Sequence, residues 1–310
     1  MSQLAFVFPG QGSQSVGMLQ AMSEQYGQVR STFEEAGEAL AMDLWTLVSN
    51  GPEASLNQTA ITQPAMLAAD IAVWRVWQSL DGLRPTILAG HSLGEYAALV
   101  AAGSLEFPDA IRIVARRGEL MQDAVADGQG AMAAILGLDD EVVEALCREA
   151  AEGQVVSAAN YNSPGQLVIA GESDAVERAM HLAKEAGARR AVVLPVSVPS
   201  HCALMQPAAE AMQVTLAETA IKEPVIPVLH NVAVQSHSDA EGIRQALIEQ
   251  LHAPVRWTAT IKAMVAQGAS RIAECGPGRV LSGLGRRIDR NVEWLPLDEP
   301  ERLLKAMSTD

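Results

Sequence analysis

The amino-acid sequence predicts an α/β protein, in which a parallel β-sheet flanked by helices carries a smaller inserted unit with a sheet of its own. Three observations on the 310-residue chain predict it. Short apolar runs alternate with helical periods at both ends of the chain, the rhythm of strand–helix–strand crossovers. A buried run, Thr86-Ile87-Leu88-Ala89, passes straight into Gly90-His91-Ser92-Leu93-Gly94 and a small-residue helix from Gly94 to Ala102. Between Gln129 and Val196 the order becomes β-α-β-β-α-β, the split βαβ arrangement of a ferredoxin-like subdomain.

Taken in order, Leu4 to Phe8 reads as a strand ending in the turn Pro9-Gly10-Gln11-Gly12-Ser13-Gln14. Helical patterns run from Met18 to Leu80, with breaks expected at Asn50-Gly51-Pro52 and at Thr62-Gln63-Pro64. The inserted unit is expected to comprise a strand Ala131–Gly137, a helix Asp139–Ala151, strands Val155–Asn160 and Gln166–Ala170, a helix Asp174–Ala186 and a strand Arg190–Val196. A turn at Asn162-Ser163-Pro164-Gly165 separates its middle strands. Beyond it come a helical stretch Ala203–Ile221, a strand Val225–Leu229, helices at Ser238–Gln250 and Thr258–Gln267, a strand Ser270–Glu274 and the turn Cys275-Gly276-Pro277-Gly278. Residues 1–127 and 198–310 are therefore expected to form the core, and 128–197 the insertion.

Composition narrows the class. The chain is 49% hydrophobic and 19% charged, as for a globular protein, and only 4% aromatic. A net charge of −15 argues against general affinity for nucleic acid, since nothing would replace the counterions around phosphate. Cys147, Cys202 and Cys275 are far apart and form no CxxC, which reads as reduced thiols; Cys202 and Cys275 are expected to fill core. The N-terminal apolar run lacks a basic segment and no stretch approaches a membrane span, so a cytoplasmic location is expected.

Gly90-His91-Ser92-Leu93-Gly94 fits G-x-S-x-G in the context that gives the pattern meaning, after a buried strand and before a helix. The glycines allow a sharp strand-to-helix turn, which presents the Ser92 hydroxyl as a nucleophile beside the free N–H groups of a helix start. A neutral serine needs a base. His91 is expected to be structural because neighbouring side chains diverge at the turn, and His181 and His237 to be solvated. His201, where the chain leaves the insertion, is the favoured base, with His230 and His252 as alternatives. Gln11, after the first strand, lies where parallel sheets bind ligands, and its N–H could join that of Leu93 in an oxyanion hole. The loop does not read as a phosphate site, because Ser15 stands where G-x-G-x-x-G needs its third glycine. Of Arg116 and Arg117, adjacent on a helix, one can point inward, either in a structural ion pair or to grip a substrate carboxylate.

Together these motifs resemble the malonyl-CoA:acyl carrier protein transacylases of bacterial fatty-acid synthesis and, more loosely, the acyltransferase domains of polyketide synthases. The resemblance rests on Phe8-Pro9-Gly10-Gln11-Gly12-Ser13-Gln14, Thr62-Gln63-Pro64-Ala65, Gly90-His91-Ser92-Leu93-Gly94-Glu95-Tyr96 and Arg116-Arg117-Gly118. It continues through Asn160-Tyr161-Asn162-Ser163-Pro164-Gly165-Gln166, Val198-Pro199-Ser200-His201 and Glu274-Cys275-Gly276-Pro277-Gly278, in the family's order along nearly the whole chain. It implies a hydrolase-like core, Ser92 as nucleophile, His201 as base, Arg117 as carboxylate clamp, Gln11 and Leu93 as oxyanion donors, and the main-chain carbonyl of Gln250 orienting the histidine. Ser200 matches the malonyl-selective members.

The expected reaction is ping-pong transfer from malonyl-CoA, releasing CoA, to the phosphopantetheine thiol of acyl carrier protein. It needs no cofactor and no metal. Because carrier proteins and this chain are both acidic, docking needs a basic spot, for which Arg189-Arg190 and Arg286-Arg287, with Arg290, are the densest candidates against a reading as solvated charge. The rivals are a serine esterase or thioesterase, for which no triad acid stands out, and a non-catalytic acyl-binding protein.

Overall fold

The computed structural model describes residues 3–126, 128–196 and 198–308. Its strands are β1 (Gln3–Phe8), β2 (Ile87–Gly90), β3 (Gly130–Leu136), β4 (Val156–Ser163), β5 (Gln166–Glu172), β6 (Arg190–Val193), β7 (Val228–Leu229), β8 (Ala269–Glu274) and β9 (Glu293–Pro296). Five of them form a parallel sheet in the order β7-β2-β1-β8-β9. The other four form an antiparallel sheet in the order β4-β5-β3-β6, the ferredoxin-like arrangement. The two boundary residues expected from sequence, Asp127 and Ser197, lie outside the described residues.

The parallel sheet is covered on both faces, so its strands are apolar throughout. Alternate residues of β1 serve the two layers. Phe6 packs edge-on against Trp74 and Trp77 at 5.4 and 5.2 Å between ring centroids. Ala5 and Val7 join Trp257, Ile261 and Met264 on the other face. In the antiparallel sheet, Ala133 and Ile135 of β3 pack with the helices Asp140–Ala150 and Ser173–Glu185. The opposite face, with Met132, Val168 and Ala170, packs around Cys202. The strand Val156–Ser163 is tied to the segment between the helices Ala240–His252 and Trp257–Ala266 by backbone bonds from Tyr161 N–H to the Val255 carbonyl and from Val255 N–H to the Ala159 carbonyl, both 2.9 Å.

Several elements depart from the sequence expectation, each for a local reason. The helix Thr59–Ser79 runs through Pro64 instead of breaking there. Sixteen of its 21 residues are buried, and that burial outweighs a proline penalty of about 3 kcal/mol. β7 is two residues long because Pro227 has no N–H for the ladder, although its carbonyl accepts from Leu88 N–H at 2.8 Å. β6 stops at Val193, two residues before Pro195. β4 continues through Asn162 and Ser163, leaving Pro164-Gly165 as the turn. Three features go beyond the expectation: β9 at the sheet edge, the helix Val280–Ile288 after the loop that follows β8, and the helix Pro300–Met307.

Where β2 meets the helix Gly94–Ala101, segments of backbone approach closer than side chains allow. A Cβ on Gly90 would overlap the Gly94 carbonyl, and one on Gly94 would overlap the Phe8 carbonyl at the end of β1. No helix among the described residues is long and apolar enough to cross a membrane. Gly90→Ala is expected to destabilise the fold by at least about 3 kcal/mol, because the obstructing atoms are backbone and cannot rotate away. Urea unfolding measures it, and a loss below about 1 kcal/mol would contradict the close packing.

Candidate active site

The carboxyl ends of the parallel strands open onto one cavity of about 170 Å³. The loop after β1 supplies Gly10, Gln11 and Ser13, and the turn after β2 supplies His91 and Ser92. Met132, Asn160, Asn162 and Val168 face it from the antiparallel sheet, and Val280, Leu281 and Leu284 from the helix Val280–Ile288. Ser200 and His201 close it where the chain returns from the smaller sheet.

Ser92 sits at the apex of the turn with φ +51°, the left-handed region that costs a non-glycine residue of order 1 kcal/mol or more. Its Oγ lies 2.7 Å from His201 Nε2. His201 is itself left-handed at φ +63° and buried, with its N–H donating to the Leu251 carbonyl at 3.0 Å. Its Nδ1–H donates to the Gln250 main-chain carbonyl at 2.7 Å, which leaves Nε2 as the acceptor facing Ser92. Burial, and then the positive charge of Arg117, push the His201 pKa down to about 3, so its ring is neutral at pH 7.

Of the two adjacent arginines, Arg116 is exposed and pairs with Glu119 at 2.9 Å. Arg117 is 2% exposed and points inward. One of its terminal nitrogens donates to Gln63 Oε1 at 2.8 Å; the other donates to Gln250 Oε1 at 2.9 Å and to Ser92 Oγ at 3.3 Å. Its guanidinium lies 5.7 Å from the Tyr96 ring centre. Among the described residues no carboxylate is within ion-pair distance of it, and its Nε has no partner. Two neutral amides leave the charge of a buried cation uncompensated, an arrangement electrostatically suited to an anion.

The structure therefore brings Ser92, His201, Arg117 and Gln250 into direct contact. Gln250 touches the other three: its side-chain Nε2 also donates to the Ser92 carbonyl at 3.0 Å. Gln11 lines the same cavity and its side chain donates to Thr59 Oγ1 at 3.3 Å. The N–H groups of Gln11 and Leu93 have no acceptor among the described residues. His230 and His252 are not in the cavity. His230 is buried with Nδ1 2.7 Å from Glu95 Oε1, and His237, expected to be solvated, is half-buried with its ring 5.3 Å from that of His230. His91 Nε2 meets Asn162 Oδ1 at 2.8 Å. Arg189, Arg190, Arg286, Arg287 and Arg290 are exposed, and Arg287 donates to Gln166 Oε1 at 2.6 Å.

Sequence reasoning passed over Gln63, Glu95 and Asn231 as site residues. Gln63 is a polar residue on a helix buried all round, and Asn231 follows a strand end in a parallel sheet. Both signals are readable, but neither says which way a side chain points.

The acyl transferase domain family model matches residues 5–287. The chain belongs to this family. Relatives extend over its full length. The malonyl CoA-acyl carrier protein transacylase of Salmonella typhimurium is 54% identical over 308 residues, covering 99% of this chain and all of that one. The solved transacylase of that name from Coxiella burnetii is 53% identical with a TM-score of 0.98, covering 99% and 97% of the two chains. A malonyl-transacylase solved in complex with a type II PKS acyl-carrier protein is 51% identical, with a TM-score of 0.99 and full coverage of both chains.

With His201 held neutral, labelling of Ser92 by a fluorophosphonate should be independent of pH from 8 down to well below 6.5. Arg117→Ala removes a charge that opposes the imidazolium, so it should move the acid limb upward. Label incorporation against pH measures both; a wild-type limb at 6.5 would contradict the electrostatic picture.

Proposed function

We propose that this acyl transferase moves a malonyl group from malonyl-CoA to the phosphopantetheine thiol of an acyl carrier protein, through a malonyl ester on Ser92. The observation that carries the reading is Arg117: a buried guanidinium without an acidic partner among the described residues, 3.3 Å from the Ser92 hydroxyl. An acyl group ending in a carboxylate fits beside it; an acetyl group would leave the charge facing a methyl. The full-length relatives named for malonyl transfer, one of them complexed with a carrier protein, support the same substrates.

In the first half-reaction Ser92 Oγ gives its proton to His201 Nε2 and bonds to the thioester carbon. The N–H groups of Gln11 and Leu93 receive the oxyanion, where each such donor is worth about 3 kcal/mol. The C–S bond breaks, the imidazolium proton passes to the CoA sulfur, and malonyl-Ser92 remains. In the second half-reaction the carrier thiol gives its proton to His201 and its sulfur attacks the ester carbon. The C–Oγ bond breaks and the proton returns to Ser92. One thioester replaces another, so no cofactor is required by the energetics. The bound carboxylate also offsets the Arg117 charge, which eases formation of the imidazolium when the acyl group is malonyl. The Gln250 carbonyl orients His201 throughout, and Ser200 lines the acyl side of the cavity.

Residues 128–197 act in this reading as an inserted wall on a core of 1–127 and 198–310, in a cytoplasmic enzyme. The carrier docks near Arg189, Arg190, Arg286 and Arg287, with Arg290. Arg286 and Arg287 end the helix whose first turn, Val280 and Leu281, lines the cavity.

Intact mass after addition of malonyl-CoA without carrier should show one malonyl group on the wild type and none on Ser92→Ala. Free turnover to malonate without an adduct would instead indicate a hydrolase. Arg117→Ala should lower malonyl transfer at least about 30-fold, the factor for ~2 kcal/mol, and raise relative use of acetyl-CoA; unchanged selectivity would refute the clamp. Reversing Arg286 and Arg287 to Glu should weaken transfer to the carrier while leaving acylation by malonyl-CoA intact, and an equal fall in both steps would remove the docking assignment.

A further inference from the structure

We propose that Asn231 is a positioning residue for Ser92: its carboxamide acts as a surrogate peptide group that extends the β7–β2 ladder and holds the nucleophile's turn in its left-handed conformation. The proposal rests on the reading of Ser92 as nucleophile.

The parallel ladder between β2 and β7 pairs Leu88 with Val228 and Ala89 with Leu229, and there β7 ends. The next main-chain groups of the β2 side, the Gly90 carbonyl and the Ser92 N–H, would then face the sheet edge unpaired. Asn231, two residues past the end of β7, supplies both partners from one side chain. Its Nδ2 donates to the Gly90 carbonyl at 2.6 Å, and its Oδ1 accepts from the Ser92 N–H at 2.7 Å. A carboxamide carries the same donor and acceptor as a peptide, so it can stand in for a strand that is no longer there. The orientation is unambiguous, because the flipped amide would set donor against donor and acceptor against acceptor. On the opposite side, His91 N–H donates to the Phe8 carbonyl of β1 at 2.9 Å, so the turn is gripped from both neighbours.

Asn231 is itself fixed. Its own N–H donates to Glu95 Oε2 at 2.9 Å, and the other oxygen of that carboxylate meets His230 Nδ1 at 2.7 Å. Glu95 lies in the first turn of the helix that Ser92 precedes, where a carboxylate is favoured by the helix dipole. The chain is thereby closed into a ring, from Gly90 through Ser92 and Glu95 to Asn231 and back. The side chains of Glu95, His230 and Asn231 and the Gly90 backbone are buried, and Ser92 is half-buried. Two consequences follow for the reaction. The positive φ at Ser92 keeps Oγ in line with His201 Nε2. And because Asn231 occupies the Ser92 N–H, the Leu93 N–H is the donor this turn leaves open for the oxyanion.

The test measures single-turnover acylation of Ser92 by malonyl-CoA in the wild type, Asn231→Ala and Asn231→Asp, alongside thermal unfolding. Asn231→Ala should acylate about 100-fold more slowly with KM for malonyl-CoA changed by less than about threefold, since what is lost is alignment rather than a substrate contact. Asn231→Asp, nearly isosteric, keeps the acceptor for the Ser92 N–H but sets a carboxylate oxygen against the Gly90 carbonyl, and should be comparably slow at pH 8. As pH falls and the introduced carboxyl takes up a proton, it regains a donor, so the ratio of its rate to that of the wild type should rise. Glu95 and His230 face this position and His201 and Arg117 contact Ser92 Oγ; all four are present in both proteins. A purely structural role would lower the unfolding temperature of both variants and leave a pH-independent ratio. Wild-type acylation rates in both variants, or a flat ratio, would overturn the proposal; failure of the wild type itself to acquire a malonyl group would instead overturn the proposed function.

Discussion

The contact on which the site depends is the near-touching of β2 and the helix Gly94–Ala101, allowed by hydrogen atoms in place of side chains at Gly90 and Gly94. That approach leaves Ser92 in a turn too tight for ordinary backbone geometry, and the left-handed φ is the result. Strain of this kind persists only where surrounding groups over-determine the conformation. Here the Phe8 carbonyl holds His91, the Asn231 carboxamide spans Gly90 and Ser92, and Gln250 takes the Ser92 carbonyl. The hydroxyl that emerges meets an imidazole already oriented from behind.

The electrostatics of the site are equally constrained. His201 is backed by a carbonyl where many serine enzymes use a carboxylate. The geometry supplies a reason. Gln250 contacts both His201 and Arg117, so an acid at this point would neutralise the guanidinium and occupy the place of an anionic substrate. Amide partners on both sides of Arg117 each take one of its terminal nitrogens while leaving its charge uncompensated. Burial and that charge keep His201 neutral in the free protein, and an incoming carboxylate removes part of the opposition. In the proposed reaction, substrate selection and activation of the base share one cation.

The antiparallel sheet contributes the opposite wall. Met132 and Val168 present its apolar face to the cavity, while Asn160 and Asn162 offer amides along the same edge. Backbone bonds between Tyr161, Ala159 and Val255 fix β4 to the segment that joins two helices of the larger unit, so its polar groups stand at a set height above Ser92.

Much of this was legible in the sequence. Strand and helix periods, the glycine spacing around Ser92 and the β-α-β-β-α-β order are local properties, set by sterics and by which faces must be apolar, and they survive in the observed sheets. Local rules misplaced Pro64, because the burial that overrides a proline comes from partners remote in the chain. They also left the base open among three histidines, and left the inward arginine open between an ion pair and a substrate clamp. Tertiary structure supplies the geometry on which the proposed assignments rest: His201 lies 2.7 Å from Ser92, and Arg117 lies between two amides rather than against an acid. It alone disclosed Asn231, whose significance lies in a strand that ends two residues before it. Chemistry that depends on one residue type in a short span can be read from sequence, whereas chemistry that depends on which way a buried side chain points requires the fold.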